Sequence, residues 1–270
     1  MARKKGSLEF TDSPEYLAKK AAFAKLTTIY GFQAVQEAVM AHPSPKVVSV
    51  LLAEEMGEAR FKDILQYCKQ KNIAVKWMPH SKLSRITRHR DEDQGIAADL
   101  DFQLVKPLAS WLDTASDNAL LLGVIGVTTP ANIGIIARSV AGSGIDGMVI
   151  PEEGCPEPTL PLIVKASAGH ILRMQLMGVA HGAELIQLAK QAGWKIYALT
   201  ASGQAGNLFE HQPQGKAMYL VGNESVGLPA NILAAADGCL TIPLANGVDS
   251  LNVAAAATLV AFHLGRKQQG

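Results

Sequence analysis

From Ile29 onward the chain alternates two apolar spacings. Residues 31–42 (GFQAVQEAVMAH) and 58–71 (EARFKDILQYCKQK) repeat apolar positions at helical intervals, with Phe61, Ile64, Leu65 and Cys68 forming one stripe. Residues 46–53 (KVVSVLLA), 73–78 (IAVKWM) and 95–105 (GIAADLDFQLV) have the continuous or alternating pattern of strands. Together they predict a small α/β domain over 28–105, behind a polar extension at 1–27 in which 15–25 (EYLAKKAAFAK) is helical. Residues 106–118 (KPLASWLDTASDN) bring Pro107 and two serines and read as a linker. A second alternating region fills 119–270. Its strands are LLLGVIGV, GMVIP, WKIYALT, AMYLVGN and CLTIPL. Its helices are NIGIIARSVAG, TLPLIVKASAG, GAELIQLAKQAG, ANILAAAD and a last run from Ser250. Apolar strands separated by helices predict an α/β fold with a parallel sheet covered on both faces.

Charge changes this picture more than composition does. The 270 residues carry a net charge of +1, but residues 1–106 hold 17 Lys and Arg against 13 Asp and Glu, and residues 107–270 hold 8 against 11. Lys76, Lys82, Arg85, Arg88 and Arg90 crowd into one run of the front domain, either as a solvated face or as contacts for phosphates. Cys68, Cys155 and Cys239 have no pairing or metal-ligand spacing, which fits a reducing cytoplasm and predicts no zinc. The basic start lacks an apolar core behind it, and no apolar run has the length of a membrane span; the expected location is the cytoplasm.

The hexapeptide GSGIDG, Gly142–Gly147, has the glycine spacing of a dinucleotide fingerprint, which would make the protein a nicotinamide-dependent oxidoreductase. That motif needs a strand before it and a helix after it, and the predicted order is reversed, so Gly142 and Gly144 read as a helix end and turn. Phosphate-loop, H-E-x-x-H and G-x-S-x-G patterns are missing. Three polar segments do lie where predicted strands end. They are TPANIGIIARSV with Asn132 and Arg138, LVGNESVGLP with Gly222, Asn223, Glu224 and Gly227, and IPLANGVDSLNV with Ser250 and Asn252. Ligands of open parallel sheets bind outside the carboxyl ends of strands, so the three could converge. Singly, each has a plainer role: Asn132 or Ser250 as a helix cap, Glu224 as a surface acid.

In order and spacing these segments resemble the SpoU (TrmH-like) branch of the SPOUT RNA methyltransferases. The resemblance is carried by Asn132 and Arg138, by Gly222, Glu224 and Gly227, by Ile242, Pro243, Leu244, Ser250, Leu251, Asn252 and Val253, and by KASAGH at Lys165–His170. Residues 29–103 resemble, more loosely, the ribosomal-protein-like RNA-binding domain that many members carry in front. Thr129 where members often have Asp, and Asp93-Gln94-Gly95 where they often have HQG, are departures.

The resemblance implies a trefoil-knotted α/β catalytic domain, a rare topology that periodicity alone does not predict. It also implies S-adenosylmethionine as cofactor, held near Gly222, Asn223, Ile242, Leu244 and Leu251, with Thr200 and Ala201 alongside. The implied reaction is methyl transfer to a ribose 2′-hydroxyl of structured RNA, ribosomal or transfer, by a homodimer without metal; the two-domain layout favours ribosomal RNA. Arg138, Asn132, Glu224, Ser250 and Asn252 would form the catalytic group. Arg138, Lys82, Arg85, Arg88 and Arg90 would meet the RNA. A non-catalytic RNA-binding protein on the same fold is the alternative.

Overall fold

The computed structural model describes residues 26–40, 45–101, 103–152, 159–201 and 205–265; the helix expected over 15–25 and Cys155 lie outside them. The front domain is a four-stranded mixed sheet with helices on both faces. It runs β1 (Thr27–Tyr30), α1 (Phe32–Met40), β2 (Val47–Ala53), α2 (Lys62–Gln70), β3 (Ala74–Met78), α3 (His80–Thr87) and β4 (Ile96–Leu100). The strand order is β1-β4-β2-β3, with β4 antiparallel to both neighbours and β2 parallel to β3. Alternation along β2 divides its side chains between two layers. Val50 and Leu52 join α1 and α2, through Val35, Phe61 and Ile64, while Leu51 and Ala53 meet Leu83 of α3.

Two elements of this domain were not expected. β1 precedes the first predicted helix, and α3 occupies the basic run that read only as a charged stretch. α3 buries Leu83 and Thr87, and its cationic residues Lys82 and Arg85 stay exposed.

The expected linker is a working part of the second domain. Val105–Pro107 forms β5, paired in parallel with β8 (Gln175–Val179), and Leu108–Leu112 forms a short helix α4 under the sheet. Leu108 and Leu112 are almost fully buried there, which overrides the turn-like composition around them. Pro107 is tolerated because β5 is an edge strand.

The remaining elements are β6 (Leu120–Val124), α5 (Pro130–Ser143), β7 (Gly147–Pro151), α6 (Leu160–Ala166), α7 (Gly182–Gln191), β9 (Lys195–Leu199), β10 (Gly206–Asn207), β11 (Ala217–Val221), α8 (Ala230–Ala235), β12 (Gly238–Thr241) and α9 (Val253–Gly265). Eight strands lie in the order β10-β12-β9-β11-β6-β7-β8-β5, and every pairing is parallel. Successive residues of β6 and β11 face opposite layers. Leu120, Leu122, Tyr219 and Val221 pack with α5 and α9, whereas Leu121, Met218 and Leu220 pack with α4, α7 and α8.

α5 is gripped from two sides by close backbone approaches. Gly134 lies so near Ala166 of α6 that a methyl group would sit 2.9 Å from the Ile163 carbonyl oxygen. At its far end, Gly265 of α9 leaves no room for a methyl against the Ser143 carbonyl. The alanine run serves the same packing, with Ala254 and Ala257 buried against α5 and the Ser139 and Thr258 hydroxyls 2.7 Å apart across the helices. The GSGIDG stretch closes α5, with Gly144 left-handed at φ 89° as its C-cap and β7 following, an order without a phosphate-binding helix start.

Candidate active site at the carboxyl ends of the parallel strands

β11 lies between β6 and β9, so the loops after β6, β9 and β11, with that after neighbouring β12, open on one side of the sheet. There the loops after β9, β11 and β12 enclose a cavity of about 360 Å³. Thr200 and Ala201 line it from the end of β9, and Gly222, Asn223 and Glu224 from the end of β11. Ile242, Leu244, Ser250 and Leu251 close it after β12. Leu199, Val221, Val253 and Ala256 also line it. The sequence reading missed these four, since each sits in an apolar strand or helix pattern that reads as core.

The Gly222–Leu228 segment has a steric reason for its glycines. The chain doubles back at once: Asn223 and Gly227 form an antiparallel bridge, with Gly227 N–H donating to the Asn223 carbonyl at 2.8 Å. A methyl on Gly222 would collide with the Gly227 carbonyl and come 2.5 Å from Leu228 N, and Gly227 has φ 68°. Asn223 spends its side chain on this scaffold. Its Nδ2 donates to the Gly126 carbonyl at 3.1 Å and its Oδ1 accepts from Ser225 N–H at 2.9 Å.

Beside the cavity the three polar segments meet. Asn132 Nδ2 donates to Glu224 Oε1 at 2.5 Å, and Asn252 Nδ2 lies 3.4 Å from both Asn132 Oδ1 and Glu224 Oε1. Asn132 is therefore no cap: Thr129 holds the N-cap position of α5, Pro130 begins the helix, and the Asn132 amide turns to β11. The last helix starts at Val253 rather than Ser250, because Asn252 Oδ1 accepts from Ala254 N–H at 2.9 Å and so takes the capping role. Ser250 belongs to the exposed loop lining the cavity.

Arg138 stands apart from this cluster. Six residues along α5 from Asn132 is about 9 Å of helix, and Arg138 is exposed without lining the cavity. Among the described residues no carboxylate pairs with it. Its charge reaches His170, whose pKa is pushed below the ordinary 6.5 first by burial and then by Arg138.

The front domain docks directly behind this edge. Lys165 Nζ reaches Glu92 Oε2 at 2.6 Å, and Glu37 of α1 pairs with Arg173. The apolar core is continuous across the junction, from Ala34 and Val35 to Ile163 and Ile171. Lys82, Arg85, Arg88 and Arg90 are all exposed, on α3 and the turn after it. That turn is anchored by Asp93, fully buried, which takes bonds from His80 Nε2 (2.7 Å), Ser84 Oγ (3.1 Å), Thr87 Oγ1 (3.0 Å) and Gly95 N–H (2.9 Å). Among the described residues no group of three His, Cys, Asp or Glu could hold a metal ion, and no helix is long and apolar enough to cross a membrane.

Known proteins share both halves of this arrangement. Residues 119–262 match the SpoU rRNA Methylase family, and residues 28–103 match the family described as RNA 2′-O ribose methyltransferase substrate binding. A Staphylococcus haemolyticus protein assigned to the TrmH family of tRNA/rRNA methyltransferases is 28% identical over 246 residues, covering 89% of this chain and 95% of its own. Among solved structures, the AdoMet-bound rRNA methyltransferase of Sinorhizobium meliloti is similar with TM-score 0.70 and 21% identity over 93% of this chain and 90% of that one. The SpoU methyltransferase AviRb of Streptomyces viridochromogenes, in complex with AdoMet, has TM-score 0.72 and 19% identity over 93% of this chain and 94% of its own. At such identities the structural likeness speaks for the fold alone. The two family matches define an RNA (ribose-2′-O-)-methyltransferase. The chain belongs to the SpoU family.

Proposed function

We propose that the protein methylates a ribose 2′-hydroxyl of ribosomal RNA with S-adenosylmethionine, acting in the cytoplasm as a homodimer. The observation that carries the chemical part is the meeting of Asn132, Glu224 and Asn252, from three separate strand ends, at the edge of one cavity. The cavity suits this cofactor. Its volume of about 360 Å³ lies in the range of small-molecule sites. Its walls are apolar at Leu199, Val221, Ile242 and Leu251 with loop backbone between them, and no phosphate-binding helix start is needed for a ligand without phosphate.

When bound, S-adenosylmethionine supplies an electrophilic methyl group on a sulfonium. The protein's share is positioning and charge. Gly222, Ile242, Leu244 and Leu251 hold the cofactor largely through backbone, with Thr200, Ala201 and Asn223 shaping the rim. Asn132, Glu224, Ser250 and Asn252 orient the ribose. Arg138 keeps its proton at ordinary pH, so it acts as a cationic clamp on an RNA phosphate rather than as a base, and its field eases loss of the hydroxyl proton. Lys82, Arg85, Arg88 and Arg90 add sequence-independent phosphate contacts, with RNA shape setting the target.

The homodimer reading is supported by Ile135 on α5 and Leu259 and Phe262 on α9, exposed apolar side chains on two helices packed together. α9 is apolar on nearly all sides, as expected of a helix with a second covering layer, and the trefoil knot of the family would lie in this same region. Light scattering of the purified protein that gives only monomer contradicts the dimer. Calorimetric titration tests the cofactor: saturable binding of S-adenosylmethionine and none of NADH is the expected result. A folded protein that binds neither moves the reading to a non-catalytic RNA-binding protein.

A further inference from the structure

His170 lies in the KASAGH segment, yet none of the roles above uses it. Three elements pack around the short 3-10 turn His170–Arg173, and each brings one charged side chain: Arg138 from α5, Glu37 from α1 of the front domain and Lys165 from α6. Arg173 is the fourth charge, on the turn itself. Lys165 is neutralised by Glu92 and Arg173 by Glu37. Glu37 Oε1 is 3.9 Å from His170 Nδ1, too far for a hydrogen bond. Arg138 is thus the cation of this group with no carboxylate of its own among the described residues.

The turn is built to hold this position. Ala168 and Gly169 both have left-handed backbone, at φ 53° and 83°. A methyl on Gly169 would come 2.6 Å from Glu37 Cβ and 3.2 Å from Ala34 Cα, so α1 presses on the residue just before His170. The imidazole is left partly exposed, with 36% of its side chain accessible, on a turn packed against the helix that carries the exposed Arg138. Burial first, and the Arg138 charge second, hold its pKa below 6.5 and keep the imidazole neutral near pH 7, while Arg173 already takes up the Glu37 charge.

We propose that His170 and Arg138 together form the seat of one RNA phosphate, and that His170 takes up a proton when the phosphate arrives. The inference rests on the RNA methyltransferase reading and deepens it. A neutral imidazole beside an uncompensated guanidinium is a site short of one anion. A phosphodiester placed between them pairs with Arg138, removes the charge that held the proton off His170 and offers it an acceptor. The front domain shares in the seat because Glu37 occupies Arg173, which keeps a second guanidinium from competing for the same phosphate.

Linkage fixes the direction. A group whose pKa rises on binding adds affinity in full below its free pKa and loses it as pH rises through the bound one. The free value lies below 6.5, so RNA affinity weakens from that region upward.

The test uses the full chain and a fluorescein-labelled 20-nucleotide RNA hairpin, titrated by polarisation at fixed salt from pH 5.5 to pH 8. S-adenosylmethionine affinity is measured alongside. H170Q serves as the variant and H170A as a second should the first fold poorly, and circular dichroism verifies both. Over that range the wild-type dissociation constant should rise by about threefold more than the variant's, because one proton-linked contact is missing there. Cofactor affinity should not change. Identical pH dependence in wild type and variant overturns the inference and leaves the RNA reading standing. A hairpin that binds neither protein at any pH overturns the RNA reading, and this inference with it.

Discussion

Two carboxylates, one in each domain, organise comparable sets of polar partners and do opposite things with them. Asp93 is fully buried, and its four partners all come from residues 80–95. Glu224 is exposed, and its partners Asn132 and Asn252 are 92 and 28 residues away in sequence. A buried carboxylate with every lone pair taken is a fastener. It fixes the turn that carries Arg88 and Arg90 and cannot exchange partners without unfolding that turn. An exposed carboxylate at a cavity edge, with one 2.5 Å bond from Asn132 and one weak 3.4 Å contact from Asn252, can release the weaker partner to a ligand. Burial, more than partner number, separates structure from function here.

The sharpest way to break this contrast is at the functional edge. Arg138→Lys removes the two-pronged phosphate contact while keeping the charge, and turnover should fall by about 100-fold or more with cofactor affinity nearly intact. Single-turnover methylation and calorimetry separate the two. Equal losses in both would refute the division between clamp and cofactor pocket.

At the fastener, Asp93→Ala strands the donors of His80, Ser84, Thr87 and Gly95. A loss of about 3 kcal/mol in urea unfolding is expected, with little change in cofactor binding. The same residue gives the front domain an acid limit. Burial pushes the Asp93 pKa up, but bonds from Gly95 N–H, His80 and Thr87 outweigh it and hold the pKa below the ordinary 3.8. The stabilisation is therefore complete above that value and fades as pH falls below it. Acid unfolding of D93A should lack this component.

Gly222→Ala sharpens the comparison from the cavity side. The added methyl must displace the Gly227–Leu228 backbone, and cofactor affinity should drop by about tenfold while the front domain melts unchanged. Glu224→Gln should have the smallest effect on stability, within about 0.5 kcal/mol, since an exposed amide oxygen still accepts from Asn132.

The sequence showed these two centres unequally. Three central strands were legible because β6, β7 and β11 are continuous apolar runs buried on both faces. The loops after them were legible as polar breaks. β8 was not: Gln175–Val179 opens with Gln and contains a glycine, and its strand character comes from pairing with β7 and β5. α3 stayed hidden because only Leu83 and Ile86 are apolar in a cationic stretch. β5 stayed hidden because three residues ending in proline carry no period. Which side chains would touch was the least legible part. The Asn132–Glu224 bond depends on β6 and β11 being neighbours, a pairing of strands 97 residues apart that no local pattern contains. The role of Asp93 was invisible for the opposite reason, since acids within a charged run read as solvated until burial is known.

The most direct measurement is to incubate the protein with S-adenosylmethionine carrying a deuterated methyl group and ribosomal RNA from a strain lacking it. The RNA is then digested to nucleosides and weighed by mass spectrometry. A deuterated 2′-O-methylnucleoside with the wild-type protein, absent with Arg138→Lys, is the predicted result. Deuterium on a base, or none on RNA from a protein that binds the cofactor, would contradict the account.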